Sequence, residues 1–505
     1  MFRKVLIANR GEIAIRVQRT LRELGIQSVA VYSEADARAS HVTRADEAYL
    51  LGPAETSRSY LNQDRLLEVA REAGCDAVHP GYGFLSENAG FARRCAAAGL
   101  VFIGPPPAAI DAMGTKIGAR ALMTKAGVPV VPGTDGGTQD LGALEKAARA
   151  MGYPVLVKAS AGGGGKGMRV VQDPAEFRRA AELARSEAEK SFGDGTIYLE
   201  KYLERPRHIE FQIFADSHGH VVHLFERECS IQRRHQKIIE ETPSPVVDER
   251  LRQTMGAAAV AAARAVDYRG AGTVEFMVDA HGDFYFLEMN TRLQVEHPIT
   301  EMVTGLDLVR LQLEVAAGHP LPPAALVPMQ RGHALECRVY AEDPARGFLP
   351  TGGRVQRIRH PGGPGVRVDG ALRDGVDVPT YYDPMLAKVI TIGRDRAESI
   401  QRMQRALAEF VILGVQTNLV YLQAILELPA FQRGELSTHF LDEHLKGWQP
   451  ESIALPDEAL AAIALHDLVG GRGTGGGTAS AGPDEAVTPW TTLPGWRHLQ
   501  NGGAA

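Results

Sequence analysis

The sequence is poor in cysteine, and this limits the kinds of site and compartment that it suits. Its 505 residues include four cysteines, and no two of them form a C-x-x-C pair. Clustered cysteines bind zinc, and paired cysteines cross-link small secreted domains. We therefore expect reduced, buried thiols in a cytoplasmic protein.

Net basic charge and long apolar runs are also absent. The formal net charge is −6, so no overall basic surface suggests nucleic acid as a partner. No apolar run is long enough to span a membrane, and the first residues do not resemble a signal peptide. The length instead predicts roughly two to four domains with substantial cores, which is typical of a globular enzyme.

A dinucleotide-binding fingerprint is missing from the N-terminal part of the chain. An apolar strand at 5–9, a helix that ends at Gly25 and a strand at 28–33 predict the β-α-β start of a doubly wound domain. However, no G-x-G-x-x-G follows the first strand, so a nicotinamide cofactor is unsupported. We expect this part of the chain to be structural.

The chain is organised around residues 288–297, where polar and apolar side chains alternate. This period of two predicts a strand with one largely apolar face. The other face carries both signs of charge, as a substrate-binding surface would: Glu288, Asn290, Arg292, Gln294 and Glu296. Taken alone, the solvated face of an edge strand is the simpler interpretation.

The residues just before this stretch favour the binding interpretation. Residues 273–279 and 284–288 predict two strands joined by a glycine-containing turn. If 279 pairs with 284, then Glu275 faces Glu288 at roughly 5 Å, and the two carboxylates need a positive charge between them. Their oxygen ligands suit Mg²⁺ or Mn²⁺. The alternative is an accidental pair of surface glutamates.

A glycine-rich loop lies between two further predicted strands. Residues 155–158 and 168–171 read as strands, and residues 159–167 between them contain five glycines, with Lys158 and Lys166 beside the run. Such a loop lets backbone amides approach an anion closely, although it does not match a P-loop. It predicts a flexible flap over phosphates, with a disordered hairpin tip as the alternative.

Three other segments carry polar groups that suit a ligand. A strand runs into a bent loop with His, Tyr and Glu at 76–88, where α/β sheets bind ligands. A basic segment at 229–237 lies between strands, opposite the acidic hairpin. A strand at 334–342 places Arg338 on its polar face. The alternatives are a tight turn, a solvated charge run and one half of a surface salt bridge.

Together these segments resemble the biotin carboxylases of the ATP-grasp superfamily. The motifs that carry the resemblance occur in the family's order and cover about residues 1–446: 7–12, 79–88, 158–167, 232–237, 288–297 and 336–340. The resemblance implies an α/β protein with an N-terminal doubly wound (pre-ATP-grasp) domain, an ATP-grasp fold with a mobile lid, and a C-terminal α+β domain. The implied ranges are 1–112, 113–330 with the lid at about 130–203, 331–446, and 447–505 for a helix, a Gly-rich linker and a tail.

The resemblance also implies a nucleotide site. Residues expected to hold the phosphates, frame the adenine or lie near the nucleotide are Lys116, Lys158, Gly164, Gly165, Glu200, Lys201, Leu203, His208, Gln232 and His235. Metal ligands for Mg²⁺ or Mn²⁺, with two ions expected, are Glu275, Glu288 and Asn290.

The implied reaction is ATP-dependent carboxylation of biotin with bicarbonate through carboxyphosphate. Bicarbonate would be bound by Lys237, Arg292, Gln294 and Val295. Glu296 would be the general base, Arg338 would stabilise the biotin ureido oxygen, and Tyr82 would contact biotin. Lys237, Arg292, Glu296 and Arg338 form the expected catalytic set.

The expected partners follow from the same resemblance. The chain lacks a Met-Lys-Met biotin-attachment motif, so biotin would arrive on a separate carrier protein or domain. A carboxyltransferase subunit would use the product, as in the first half-reaction of an acyl-CoA carboxylase, and the resemblance implies a homodimer. The alternatives are an ATP-grasp carboxylate–amine ligase and a non-catalytic nucleotide-binding scaffold of a carboxylase complex.

Overall fold

Sheets and their covering helices organise the chain before residue 451. The computed structural model describes residues 1–160, 167–451 and 456–470, and residues 451–505 form a separate unit. Among the described residues, no helix combines the length and the apolar character needed to cross a membrane.

The N-terminal sheet is parallel, as the β-α-β pattern predicted. Its strand order is β3-β2-β1-β4-β5, with β1 (Lys4–Ile7), β2 (Gln27–Ser33), β3 (Glu47–Gly52), β4 (Ala77–His79) and β5 (Val101–Phe102). Its helices are α1 (Gly11–Glu23), α2 (Ser40–Arg44), α3 (Gln63–Glu72), α4 (Ala89–Ala97) and α5 (Pro107–Met113). The apolar stripe of α1, which includes Ile13, Val17 and Leu21, is buried against the sheet side.

A small three-stranded sheet follows, with strand order β7-β6-β8. It contains β6 (Val155–Ala159), β7 (Met168–Val171) and β8 (Ile197–Lys201), all antiparallel. The helices of this region are α6 (Lys116–Lys125), α7 (Leu141–Met151) and α8 (Phe177–Phe192). The predicted strand–loop–strand around the glycines is confirmed for β6 and β7, whereas loop residues 161–166 lie outside the described residues.

The largest sheet has eight antiparallel strands in the order β13-β12-β9-β10-β11-β14-β21-β19. Its first five strands in the chain are β9 (Arg207–Ala215), β10 (Val221–Arg233), β11 (Gln236–Thr242), β12 (Gly270–Val278) and β13 (Phe284–Asn290). The helices that accompany them are α9 (Glu249–Arg264), α10 (His297–Thr304), α11 (Leu308–Ala316) and α12 (Pro323–Leu326).

The same sheet continues into the C-terminal region. The strands there are β14 (His333–Tyr340), β15 (Glu342–Asp343), β16 (Leu349–Pro350), β17 (Gly353–Arg354), β18 (Arg357–Arg359), β19 (Val366–Gly370), β20 (Asp377–Val378), β21 (Met385–Gly393) and β22 (Val411–Leu413). The helices are α13 (Arg396–Glu409), α14 (Leu419–Glu427), α15 (Pro429–Gln432) and α16 (Phe440–His444). Because β14 pairs with β11, one sheet connects the two regions.

The unit that begins at residue 451 contains α17 (Asp457–Gly470). This helix confirms the helix expected within residues 447–505. The expected Gly-rich linker and the tryptophan-containing tail lie outside the described residues.

The predicted strand over 288–297 is wrong beyond Asn290. Strand β13 ends there, and α10 begins at His297 with Pro298 in its first turn. Proline suits the start of a helix, because its φ is already helical and it needs no amide donor there. The polar side chains still meet, since Arg292 donates to Asn290 Oδ1 at 3.0 Å and to Gln294 Oε1 at 2.9 Å.

The register of the acidic hairpin is confirmed at Glu275 and Glu288, which are direct cross-strand partners. The assumed pairing of 279 with 284 is wrong, because Val278 pairs with Phe284. A one-residue shift in register between Glu275 and Phe276 restores the 275–288 pair. A bulge of this kind changes which face later residues occupy, and alternation alone does not reveal it.

The basic segment 229–237 is a hairpin rather than the predicted connection between strands. It contains the end of β10, a tight turn and the start of β11, and Arg234 and His235 in the turn have positive φ. A hairpin fixes the side chains of Gln232 and Lys237 more firmly than a loop would, because these two residues pair directly.

Candidate active site

A cavity of ≈ 570 Å³ lies between the N-terminal domain, β6 and the eight-stranded sheet. It brings together residues that are far apart in the sequence, which is the usual form of a ligand site. Of the predicted site residues, those that line it are Tyr82, Lys116, Lys158, His208, Gln232, His235, Lys237, Glu275, Glu288, Asn290, Arg292, Gln294, Val295 and Arg338.

The remaining predicted residues fall into two groups. Gly164 and Gly165 lie outside the described residues. Glu200, Lys201 and Leu203 do not line the cavity, and neither does Glu296, which is fully buried behind it.

Lys237 lies at the centre of the acidic side of the cavity. Its Nζ contacts Glu210 Oε2 and lies 2.8 Å from Glu275 Oε1 and 2.7 Å from Glu296 Oε1. Burial alone would lower the pKa of this ammonium, but the three carboxylates raise it well above its usual value. Lys237 is therefore charged at neutral pH, with an acidic partner on three sides.

Glu296 contacts a second cation on its other oxygen. Arg338 Nη2 lies 3.0 Å from Glu296 Oε2, while Arg338 Nε donates to Glu240 Oε1 at 2.6 Å. Burial acts to raise the pKa of Glu296, yet Lys237, Arg338 and Arg227 hold it well below its ordinary value. Glu296 is thus ionised at neutral pH, as a group that accepts a proton must be.

Glu275 and Glu288 differ in what compensates their charge. Glu275 is bonded by Lys237 and by Asn290 Nδ2, at 2.9 Å, and lies 2.9 Å from His208 Nε2. Within residues 1–160, 167–451 and 456–470, the carboxylate of Glu288 has no hydrogen bond or ion pair. Burial and the neighbouring Glu275 raise its pKa. A half-buried carboxylate left facing another fits a divalent cation, and its oxygen donors suit Mg²⁺ or Mn²⁺.

Two lysines approach the opposite side of the cavity. Like the two glutamates, they differ in whether a neighbouring group compensates their charge. Lys158 Nζ is bonded to Glu200 Oε2 at 2.8 Å, and Arg120 Nη1 contacts the other oxygen of Glu200 at 3.1 Å. Burial and the charge of Lys158 lower the pKa of Lys116. The ammonium group of Lys116 has no hydrogen bond or ion pair within the described part of the chain, so an anion such as phosphate would relieve a positive charge that no direct contact neutralises.

His208 and Gln232 form a connected polar pair beside Glu275. Gln232 Nε2 lies 2.6 Å from His208 Nδ1 and donates to the Cys229 carbonyl at 2.8 Å. His235 occupies the β10–β11 turn and lines the same wall. Lys201 points elsewhere, because its Nζ donates to the carbonyl of Gly152 at 2.8 Å.

Arg292 is held by a residue that sequence reasoning did not select for the site. Glu87 accepts from Arg292 Nε at 2.8 Å and from the Thr291 amide at 3.0 Å. Glu87 belongs to the loop at 76–88, part of which lines the cavity. Tyr82, from the same loop, donates a short hydrogen bond to Glu12 Oε1.

Sequence reasoning also missed Glu210, Arg227 and Glu240, all of which are fully buried beside the cavity. Arg227 donates to Glu210 Oε1 at 2.6 Å, which neutralises the oxygen that Lys237 leaves free. A signal for Glu210 was available, since it lies two residues from His208 and so on the same face of β9. Burial of Arg227 and Glu240 depends on strand neighbours that no local pattern reveals.

Profiles of known families match nearly all of residues 1–443. Three family profiles match consecutive segments: Biotin carboxylase, N-terminal domain, at residues 1–110; Carbamoyl-phosphate synthase L chain, ATP binding domain, at 115–324; and Biotin carboxylase C-terminal domain, at 336–443.

Curated proteins and solved structures agree with these profiles. The chain is 56% identical over 451 residues to a pyruvate carboxylase subunit of Methanothermobacter thermautotrophicus, covering 89% of this chain and 92% of that protein. It is 55% identical over 447 residues to biotin carboxylase of Halalkalibacterium halodurans, covering 88% and 98%. The biotin carboxylase domain dimer of Hydrogenobacter thermophilus 2-oxoglutarate carboxylase, in complex with MgADP, ADP and bicarbonate, matches with a TM-score of 0.85 and 46% identity, covering 90% and 100%.

The identity to these relatives is high and extends over almost their full length. The chain also has an ATP-grasp fold and a cavity lined by most of the expected residues. The chain belongs to the biotin carboxylase family, whose members are ATP-dependent ligases.

Proposed function

We propose that this chain carboxylates biotin, borne on a carrier protein, with bicarbonate and ATP through carboxyphosphate. The observation that carries the proposal is the contact series Lys237–Glu296–Arg338, with distances of 2.7 Å and 3.0 Å. In the proposed roles, a cation that binds bicarbonate and a second cation would each lie within hydrogen-bond reach of one base, Glu296. An activation of bicarbonate followed by transfer to biotin needs these three groups side by side.

ATP phosphates are proposed to lie against Lys116 and Lys158. Glu275, Glu288 and Asn290 would hold Mg²⁺ or Mn²⁺, which supplies charge neutralisation between the phosphate oxygens when bound. His208, Gln232 and His235 would contact the nucleotide, as the resemblance implies, and Gly164, Gly165, Glu200, Lys201 and Leu203 remain predictions for the phosphates and the adenine.

Bicarbonate is proposed to lie against Lys237, Arg292, Gln294 and the backbone of Val295. Glu296 accepts the proton of its hydroxyl group, and the resulting oxygen attacks the γ-phosphorus as ADP leaves. The product, carboxyphosphate, then separates into CO₂ and phosphate inside the cavity. Fixed cations here lower the barrier mainly by orientation and by charge neutralisation.

Biotin is proposed to enter beside Arg338 and Tyr82. Phosphate released from carboxyphosphate takes the N1′ proton, and the Arg338 guanidinium stabilises the charge that develops on the ureido oxygen. N1′ then attacks CO₂, which forms carboxybiotin. Glu240 fixes the guanidinium through hydrogen bonds from Nε and Nη2.

The expected partners are a biotin carrier protein or domain, a second copy of this chain, and the carboxyltransferase that uses carboxybiotin. Support comes from the dimer in the Hydrogenobacter structure and from the carboxylase names of the relatives. Cytoplasmic location stays a prediction from the four unpaired thiols, three of which are buried.

The test is ADP release by the purified protein with ATP, Mg²⁺ and bicarbonate, before and after adding biotin or a biotinylated carrier. We expect biotin to stimulate release, and Glu296→Gln to lose about 10²–10⁴-fold in kcat because the base is removed. The control is Glu435→Gln, which changes an exposed carboxylate. No stimulation by biotin, or stimulation by amino acids instead, would favour a carboxylate–amine ligase. Full activity of Glu296→Gln would overturn the proposed role of the base.

A further inference from the structure

Lys388 on β21 is a fully buried ammonium group whose partners come from two distant parts of the chain. Its Nζ donates to the Val295 carbonyl at 2.8 Å and lies 3.2 Å from Glu12 Oε1, at the start of α1. It also lies 6.0 Å from the centre of the Tyr82 ring. Burying an ammonium group is costly unless it is paired, so losing its hydrogen bond or its ion pair would leave Lys388 with an unfavourable buried charge.

The contact with Val295 fixes a particular peptide group. The carbonyl of Val295 belongs to the planar unit that also contains the amide nitrogen and the Cα of Glu296. Residues 291–296 belong to neither a strand nor a helix, so ladder hydrogen bonds do not hold this unit. Lys388 therefore sets the orientation of the peptide that joins the proposed bicarbonate contact to the proposed base.

The contact with Glu12 extends this arrangement to the biotin side. Glu12 Oε1 accepts from the Tyr82 hydroxyl as well as facing Lys388 Nζ. One carboxylate oxygen thus connects the tyrosine expected to contact biotin with the lysine that holds the bicarbonate loop. In addition, Lys388 is the direct cross-strand partner of Arg338, on β14.

We propose that Lys388, paired with Glu12, is a positioning residue that holds the Val295–Glu296 peptide in its reactive orientation and links it to the Tyr82 hydroxyl. Lys388 does not line the cavity, so it acts through Val295, Glu12 and Tyr82, which do. The inference rests on the proposed function, because it assumes that Val295, Glu296 and Tyr82 act as stated there.

The test compares Lys388→Met with the parent in the ADP-release assay, at varied bicarbonate, biotin and ATP. Methionine keeps most of the buried stem but cannot donate to the carbonyl. We expect kcat/KM for bicarbonate to fall about 100-fold, the loss expected for a displacement of about 1 Å, with the KM for ATP near that of the parent. Lys388→Arg retains donors and charge, and we expect it to recover part of the loss.

The matched control is Arg396→Met, which breaks a mostly buried ion pair at 2.7 Å between α13 and Glu241 on β11 of the same sheet, away from the cavity lining. It should lower the melting temperature while leaving KM for bicarbonate unchanged. If Lys388→Met behaves like this control, Lys388 is structural only and the inference is overturned.

A second variant, Glu12→Gln, keeps the experiment decisive should Lys388→Met fail to fold. Glutamine preserves the volume and a hydrogen bond but removes the charge opposite Lys388. We expect the KM for biotin to rise and kcat to fall, and a parent-like pair of values would contradict the linkage to Tyr82. Failure of the parent itself to respond to biotin would instead count against the proposed function, so the two failures are distinguishable.

Discussion

The two ends of the cavity compensate their charges differently. At the bicarbonate end, defined by Lys237, Glu296 and Arg338, each charge has a partner within 3.0 Å. At the phosphate end, defined by Lys116 and Glu288, neither charge has a hydrogen bond or ion pair within the described residues. The charges of the first end are paired within the protein, whereas we propose that a bound ligand pairs those of the second.

The roles proposed for the two ends account for this difference. Bicarbonate is small and is a poor electrophile, so the groups around it must be preorganised, because reorganisation during the reaction would add to the barrier. The nucleotide and its cation bring strong charges of their own, so protein groups there are left to meet them. A buried charge without a partner is unfavourable, and this stored cost is recovered when the ligand binds.

The largest expected effect breaks the bicarbonate end. Lys237→Met leaves the buried carboxylates of Glu210, Glu275 and Glu296 without their shared cation. Removing one member of a buried ion pair destabilises by about 3–5 kcal/mol, so urea denaturation should show a loss of this size together with loss of ADP release.

Lys116→Met is the matched control at the phosphate end. We expect little loss of stability without nucleotide, because no ion pair is broken, but a raised KM for ATP. Equal loss of stability in the two variants would contradict the contrast between the ends.

A charged cluster away from the cavity provides a reference for purely structural pairing. Glu241 is buried and accepts from His333 and Arg396. Burial acts to raise its pKa, but His333 and Arg396 lower it to about 2, from an ordinary 4.5. A depressed folded-state pKa stabilises the fold above pH 4.5, and this contribution is lost as pH falls towards 2.

The measurement is the free energy of unfolding of the parent and Glu241→Gln between pH 7 and pH 3. We expect the free energy of unfolding of Glu241→Gln to be about 3 kcal/mol lower than that of the parent at pH 7, and this difference to become smaller below pH 4.5. The KM for bicarbonate at pH 7 should be unchanged. A gap independent of pH would show that the ionised carboxylate is not what stabilises the cluster.

Glu288→Gln sharpens the comparison from the phosphate end. If the parent protein binds Mg·ADP, its free energy of unfolding rises by about 2.7 kcal/mol when the ligand is present at 100 times its Kd. We expect the variant to gain much less at the same concentration, because a metal ligand is lost, while its stability without ligand is equal or greater. Thermal shift against Mg·ADP concentration measures this, with Glu435→Gln as the control; a parent-like gain would count against a metal role for Glu288.

The smallest effect is expected for an exposed pair. Arg38 Nη2 lies 2.8 Å from Asp377, but the two side chains are 73% and 54% exposed. Solvent screens such pairs, so Arg38→Ala should change the free energy of unfolding by less than about 0.5 kcal/mol in urea denaturation. A larger effect would mean that the exposure of an ion pair does not predict how much the pair stabilises the fold.

Much of the fold was readable from local pattern. The first helix, α1, was predicted to end at Gly25, and it ends at Glu23. The parallel N-terminal sheet and the β6–β7 hairpin were also predicted. These elements depend on periodicity and on turn residues, both of which are local properties.

The errors lie where tertiary contacts decide the outcome. Beyond Asn290 the chain leaves the sheet and leads into α10, although the alternation of polar and apolar residues continues. The turn of the hairpin was also predicted one residue out of register, and Glu275 still pairs with Glu288 only because of the bulge next to Glu275. The alternation still identified side chains that meet. Glu87 and Lys388, whose partners Arg292 and Val295 are distant in sequence, could not be found by spacing.

The central claim is that the bicarbonate end activates bicarbonate for transfer to biotin. The most direct measurement is ATP-dependent incorporation of ¹⁴C from labelled bicarbonate into biotin, compared between the parent and Glu296→Gln. The account predicts label on biotin for the parent, dependent on ATP and Mg²⁺, and at least about a 100-fold lower rate for the variant. ADP formation without labelled biotin, or equal labelling by both proteins, would contradict it.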